Sequence, residues 1–264
     1  MTNILDRILA EKRMEVSLLK NKLDFMTNVT TWQKRSFIKL LENREELAII
    51  AEFKRASPSK GDINVELDPK AQAISYCESG ATAISVLTDN PFFKGSFVDL
   101  LEVSKSVSIP VLCKDFIIDE SQILKAKSAG AHLILLIAAA LDQERLEELY
   151  SYAIQHDLEV LIEVHNVAEV HKALLTGTKL IGVNNRDLKT FSVDLGVTEK
   201  LAPLIKKEGV FLISESGIRT ENDVERVRRA GADGVLVGEA FMKTDSIERL
   251  MKQMKQPIKG VANK

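Results

Sequence analysis

The chain has 264 residues, of which 45% are hydrophobic and 28% charged, with 36 basic against 38 acidic side chains and a formal net charge of -2. That interspersed balance provides no global field for nucleic acid or an anionic membrane surface, so any anion has to be held locally. Only 13 Gly and 6 Pro exclude a low-complexity or collagen-like chain.

The N-terminal stretch "MTNILDRILAEKRMEV" is charged from Asp6 onward and has no uninterrupted apolar core, so it does not read as a secretory signal. Its periodicity predicts a helix over 4–23, and a second short one over 36–42. The first has two open readings, a cap over a barrel mouth or a helix that packs on the barrel or on another copy. Trp32, between them, reads as a packing anchor.

From Leu47 onward, short β-branched or Leu-rich runs alternate with helical patterns, the signature of βα units and a parallel sheet. The runs are 47–53, 83–87, 110–116, 132–137, 159–164, 179–184, 210–214 and 234–238. Between them lie amphipathic stretches such as "DQERLEELYSYAIQ" and "ENDVERVRRA", expected to form an outer ring. A helix-ending glycine recurs about every 50 residues, at Gly80, Gly130, Gly177 and Gly231, so that each interval spans two βα units. No Gly-rich dinucleotide loop follows the first run, so a closed (β/α)8 TIM barrel of the α/β class is expected rather than a doubly wound sheet. One domain, 1–264, would then comprise an N-terminal helical extension, 1–46, and the barrel, 47–264.

The longest apolar run, 133–141, is about half of the ~18 residues that a membrane span needs. Cys77 and Cys113 stand in no ligand-like spacing and read as reduced thiols, which points to the cytoplasm. His132, His156, His165 and His171 form no compact cluster, and no metal is expected. His165, two positions after Glu163, reads as a surface or satisfied histidine.

The odd-numbered strands end in charge: "AEFK", "CKDF", "IEVH" and "SESG". Strand alternation puts Glu52 with Lys54 on one face, and Lys114, Glu163 and Glu215 on the faces of Leu112, Leu161 and Ile213. If those faces point inward, two ammonium groups and three carboxylates meet at the C-terminal mouth, joined by Asn184 from the sixth strand. A structural ion-pair plug is the bland alternative, but apolar layers fill a barrel more cheaply. Gly217 after the seventh strand, with Gly238 and Glu239 at the end of the eighth, matches the recurrent phosphate site of the fold. The loop "KRASPSKGD" adds polar groups suited to closing over an anion. Such a site fits an anionic sugar phosphate bearing a carbonyl, and implies acid–base chemistry. A Schiff-base sugar-phosphate aldolase would use the same lysine as a nucleophile, and an inactive binding barrel is a third reading. Residue types alone leave these open.

The segments "EFKRASPSKG", "VLCKDFIIDESQI", "LEVLIEVH", "IGVNNRDLKTF", "SESGI" and "LVGEAFM" together resemble the indole-3-glycerol phosphate synthase family, over the chain from the first helix to the last. The resemblance implies ring closure, decarboxylation and dehydration of 1-(2-carboxyphenylamino)-1-deoxyribulose 5-phosphate in tryptophan biosynthesis, a carboxy-lyase reaction. By the same resemblance Lys114 is the acid at the ribulose carbonyl, Glu163 its acid/base partner in dehydration, and Glu52 the stabiliser of positive charge on the anilino nitrogen. Lys54 reaches the substrate's anionic groups and is an alternative acid in dehydration, the resemblance leaving open which lysine serves which step. Ser57 belongs to the substrate loop; Asn184, Arg186, Glu215 and Ser216 form the rim around the ribulose; and Gly217, Gly238 and Glu239 hold the phosphate. Phe93, Phe116 and Leu136 are expected as apolar walls. The resemblance implies no organic cofactor or metal, because decarboxylation and aromatisation supply the driving force. The chain reads as monofunctional, with association with other tryptophan-pathway enzymes left open.

Overall fold

The computed structural model describes residues 4–20 and 33–258; Trp32 and the last residues of the first predicted helix, 21–23, lie outside them. A strand falls on each of the eight apolar runs: β1 (Ala48–Phe53), β2 (Ala83–Leu87), β3 (Val111–Lys114), β4 (Leu133–Ile137), β5 (Glu159–Val164), β6 (Leu180–Asn184), β7 (Phe211–Glu215) and β8 (Gly234–Val237). They pair in parallel around a closed barrel, each with its sequence neighbours, and β1 closes on β8 with Ala48 opposite Gly234. The strands are nearly continuous apolar runs because both faces are buried. Gly80, Gly130, Gly177 and Gly231 all have positive φ, the left-handed conformation that ends a helix and that glycine adopts without a Cβ clash.

Alternation divides the core into two layers. Ile50, Leu112, Leu133, Leu135, Leu161, Leu180, Ile213 and Leu236 fill the barrel interior, whereas Ile49, Ile84, Ile134, Leu136, Ile162, Ile181 and Val235 pack outward with the helices.

The N-terminal extension serves both ends of the barrel. Helix α2 (Phe37–Glu42) plugs the bottom, where Phe37 and Leu41 pack on Ala48, Ala83, Leu180 and Phe211. Its first turn is fixed by Glu159, whose carboxylate accepts from the N–H groups of Phe37 (2.8 Å) and Ile38 (3.1 Å) and from the Ser36 hydroxyl. A carboxylate is well placed at a helix start, where N–H groups lack intrahelical partners. Helix α1 (Ile4–Lys20) instead lies at the opposite mouth, and Ile4, Leu5 and Ile8 line the cavity there.

Candidate active site

The charged strand ends do face inward. Glu52, Lys54, Lys114, Glu163, Asn184 and Glu215 line one cavity of about 160 Å³ at the C-terminal mouth. Lys114 stands at its centre: Nζ lies 3.1 Å from a Glu163 oxygen and 3.2 Å from one of Glu215. The other Glu163 oxygen accepts from Asn184 Nδ2 at 3.1 Å. Lys54 pairs with Glu52 at 2.5 Å, two positions earlier on the same strand face.

Backbone choices make room for these groups. A Cβ at Gly182 would fall 2.0 Å from Glu215 Oε1, and one at Gly238 would fall 2.6 Å from Glu52 Oε1. Each glycine therefore leaves space for a carboxylate that no other residue type would leave.

The two carboxylates on Lys114 differ in their remaining company. Burial opposes ionisation of Glu163, yet Lys114, His165 and the Asn184 hydrogen bond outweigh it and hold the carboxyl below its usual range. Glu215 is pushed up to about 7, chiefly by burial, with Lys114 opposing and Glu163 adding repulsion. Its Oε1 has no hydrogen-bond partner among the described residues. For Lys114, burial opposes the charge, but Glu215 and Glu163 outweigh it and raise the ammonium pKa above the ordinary lysine value. Neighbouring carboxyls driven in opposite directions are the mark of assigned acid and base roles.

The glycine-rich pole lies beside this cluster. Ser216 (φ 64°) and Gly217 (φ 86°) turn the chain sharply after β7, and both line the cavity with Gly238 and Glu239. Glu239 opens the short helix Glu239–Lys243 and is bound by Lys243 at 2.8 Å and approached by Lys60 at 3.8 Å. The loop after β1 folds into a two-residue ribbon, Ala56–Ser57 against Gly61–Asp62, and brings Ser57 to the cavity. Arg55 leaves the mouth to pair with Asp99, whereas Arg186 stays at the rim, its guanidinium donating to the Phe191 carbonyl at 3.2 Å.

Phe93 and Phe116 line the cavity with ring centroids 5.9 Å apart. Leu136 does not join them, which corrects the expectation for that residue. It packs in the outer layer, and its neighbours Leu135 and Ile137 line the cavity instead. The reason is strand alternation: Leu133 pairs with inward-facing Leu112, so 135 and 137 share that face and 136 does not.

His165 was expected at the surface or in an ordinary satisfied site. It stands behind Glu163, with Nε2 3.4 Å from the carboxylate and Nδ1 3.0 Å from Glu169. The "EVH" spacing carried the signal, since residues two apart on a strand share a face.

Acid and base groups of opposed titration at the C-terminal mouth of a barrel equip it to move protons, and the class is that of a (β/α)8-barrel acid–base enzyme. A family model described as indole-3-glycerol phosphate synthase matches residues 5–254, and the chain belongs to that family. It is 51% identical over 256 residues to an indole-3-glycerol phosphate synthase of Oceanobacillus iheyensis, covering 96% of this chain and 97% of the relative. Against one from Bacillus cereus it is 49% identical over 258 residues, 98% and 100% of the two chains. Among solved structures, a mandelate oxidase variant with benzaldehyde superposes with a TM-score of 0.59 at 18% identity, over 80% of this chain and 74% of that one, a likeness of fold alone. The activity is that of the family: conversion of the carboxyphenylamino-deoxyribulose phosphate to indole-3-glycerol phosphate, carbon dioxide and water, in tryptophan biosynthesis.

Proposed function

We propose that Lys114 is the acid of ring closure, protonating the ribulose carbonyl oxygen as the aryl carbon attacks it. The observation that carries this reading is the seat of its Nζ between Glu163 and Glu215, at 3.1 and 3.2 Å. An ammonium held charged by two carboxylates gives up its proton to an oxygen that is becoming an alkoxide. The same pairing disfavours a Schiff-base role, because an amine nucleophile must first be neutral.

Carbon dioxide then leaves, and dehydration follows. Glu163, held ionised, takes the proton that C1 of the ribulose loses as the ring aromatises, a lysine ammonium gives one to the departing hydroxyl so that water leaves, and Glu52 stabilises the positive charge that gathers on the anilino nitrogen. Lys54 holds the substrate's anionic groups beside Glu52. Asn184, Arg186, Glu215 and Ser216 orient the ribulose, with Glu215 Oε1, which has no hydrogen-bond partner among the described residues, suited to accept from a hydroxyl. Gly217, Gly238 and Glu239 frame the phosphate, Ser57 covers it from the loop, and Phe93 and Phe116 flank the aromatic ring. Leu135 and Ile137 complete that wall.

Substitution of Lys114 by Ala is expected to preserve the fold and to lower kcat by at least 10²–10⁴-fold, followed by the fluorescence of the indole product. Near-wild-type turnover in a folded Lys114→Ala protein would overturn the assignment. Borohydride trapping with a sugar phosphate, read by intact mass, is expected to leave Lys114 unmodified. The extension and barrel are read as one domain. Placement in the cytoplasm is supported by free Cys77 and Cys113 and by the absence, among the described residues, of a helix long and apolar enough to cross a membrane.

A further inference from the structure

Asn185 adjoins the site without entering it. Alternation turns its neighbour Asn184 into the cavity and Asn185 away from it, where it is 1% exposed. A buried amide of this kind needs partners for two N–H donors and a carbonyl oxygen inside the protein. Nδ2 donates to the Ser214 hydroxyl at 2.9 Å, to the Glu215 carbonyl at 2.9 Å and to the Ser216 carbonyl at 3.1 Å. Oδ1 accepts from the hydroxyl of Thr198 at 2.8 Å and from its N–H at 3.2 Å, at the start of the helix Gly196–Lys207. Because the Thr198 hydroxyl hydrogen goes to Asn185, Ser214 Oγ donates to Thr198 Oγ1, 2.8 Å away. Asn185, Ser214 and Thr198 thus close a ring whose donors all run in one direction, and the last two are fully buried.

What this ring holds is the turn after β7. Ser216 has φ 64°, in the left-handed region that is costly for a residue with a Cβ, and Gly217 follows at φ 86°. Backbone of that kind persists only where its surroundings fix it. Asn185 grips it on both sides, because the Glu215 and Ser216 carbonyls flank the Ser216 Cα, and its own backbone N–H donates to the Glu215 carbonyl at 2.9 Å. The carbonyl and N–H of a trans peptide point in opposite directions, so the Ser216 carbonyl turned to Asn185 sends the Gly217 N–H the other way. Gly217 lines the cavity, and Asn185 does not. Asn185 also anchors the loop before the helix, its carbonyl accepting from the Asp194 N–H at 3.0 Å. Val193 of that loop backs the turn, with Cγ1 2.4 Å from where a Gly217 Cβ would fall.

We propose that Asn185 is a positioning residue for the substrate phosphate, holding the Ser216–Gly217 turn in the shape that presents the Gly217 N–H to the anion. The inference rests on the reading of Gly217 and Gly238 as the frame of the phosphate. Backbone N–H groups in such a turn form a concavity for anions. A turn that is already fixed gives up no conformational freedom when the anion binds, which favours affinity. Only an amide serves this place: a carboxylate has no hydrogen for the two carbonyls, and an apolar side chain has no acceptor for Thr198. Asn185 touches neither Lys114 nor Glu163, so its contribution belongs to binding rather than to the chemical step, and its loss belongs in KM rather than in kcat.

The test compares Asn185→Ala, Thr198→Val and Gly217→Ala with the wild-type protein, by steady-state kinetics from product fluorescence, by competitive inhibition with inorganic phosphate, and by thermal unfolding. Asn185→Ala is expected to raise KM and the phosphate inhibition constant together by about tenfold or more, with kcat within about twofold. Thr198→Val removes only the hydroxyl that orients the amide. It is expected to fold and to move both constants in the same direction by a smaller factor, and it carries the test if Asn185→Ala does not fold. A lower Tm with an unchanged phosphate constant in both variants would make Asn185 a stability residue alone and overturn the proposal, as would a loss confined to kcat. Gly217→Ala tests the frame itself. If that variant binds phosphate as the wild type does, the reading of Gly217 fails and the proposal with it. If it loses phosphate while folded Asn185→Ala keeps it, only the role of Asn185 fails.

Discussion

Glu215 reaches Lys114 across a space that exists because residue 182 has no side chain. On β6 the inward positions are Leu180, Gly182 and Asn184, and Gly182 pairs with Glu163 on one side and Ile213 on the other. A methyl group there would meet Glu215 Oε1 at 2.0 Å, well inside van der Waals contact. Gly182→Ala is therefore expected to fold, to displace the Glu215 carboxylate from Lys114, and to lower kcat/KM by about 10-fold or more, given that 1.4 kcal/mol of lost transition-state stabilisation is a factor of ten. Steady-state kinetics on the folded variant decide it, and a wild-type kcat/KM would show that the carboxylate position is immaterial. At this scale the sequence was informative about charge and less so about space. Glu52, Lys54, Lys114, Glu163 and Glu215 stand out because charged residues at strand ends violate the apolar pattern around them. A glycine that accommodates another residue's carboxylate violates nothing locally. The error at Leu136 is of another kind, since the alternation applied to the charged residues also assigns Leu135 and Ile137 to the interior.

Helix α1 is joined to the barrel by a buried cation. Lys12 is 1% exposed and lies 2.7 Å from Asp115 and 3.1 Å from Asp89, with Glu15 at 2.8 Å. Burial opposes its charge, but Asp115 and Asp89 outweigh it and raise the ammonium pKa. Asp115 follows Lys114 and faces the opposite side of the strand end, where it also accepts from the Thr88 hydroxyl at 2.5 Å. The same contacts that dock α1 thus fix the strand end that carries Lys114, and set Ile4, Leu5 and Ile8 over the cavity. Lys12→Ala leaves two buried carboxylates facing each other and is expected to cost about 3–5 kcal/mol, with KM raised more than kcat is lowered. Urea unfolding and steady-state kinetics test this; a loss below about 1 kcal/mol would place the docking energy in the apolar contacts instead. The sequence marks α1 as a helix through its period, and its place on the barrel depends on a pairing between residues far apart in the chain. Such a pairing has no local signature, so the choice between cap and packing helix could not be made from the pattern. Asp115 was legible as an anchor, because alternation turns it away from Lys114.

The molecule as a whole joins a barrel built for stability to a mouth that works against it. Below the strand ends the interior is continuous apolar packing, and above them two lysines and three carboxylates share a small cavity. A buried ion cluster of this kind is often no more stable than apolar groups of equal volume, whereas removing one partner alone is costly. Lys114→Met is therefore expected to lower the unfolding free energy, because Glu163 and Glu215 then face each other without their shared cation. Adding Glu215→Gln removes the carboxyl that burial disfavours most, and leaves Glu163 with Asn184 and His165. The double variant is expected to recover the loss and to exceed the wild type by about 1–4 kcal/mol, with no turnover. The advantage depends on pH in a defined direction. Glu215 has its carboxyl raised from 4.5 to about 7, so its contribution to stability is full below pH 4.5 and is lost as the pH rises through 7. Glutamine has no such loss, so the margin of the double variant over the wild type should widen between pH 5 and pH 8. Urea midpoints at those two pH values measure it. A double variant as unstable as Lys114→Met, or a margin that narrows with rising pH, would mean that the charged mouth contributes to holding the barrel closed.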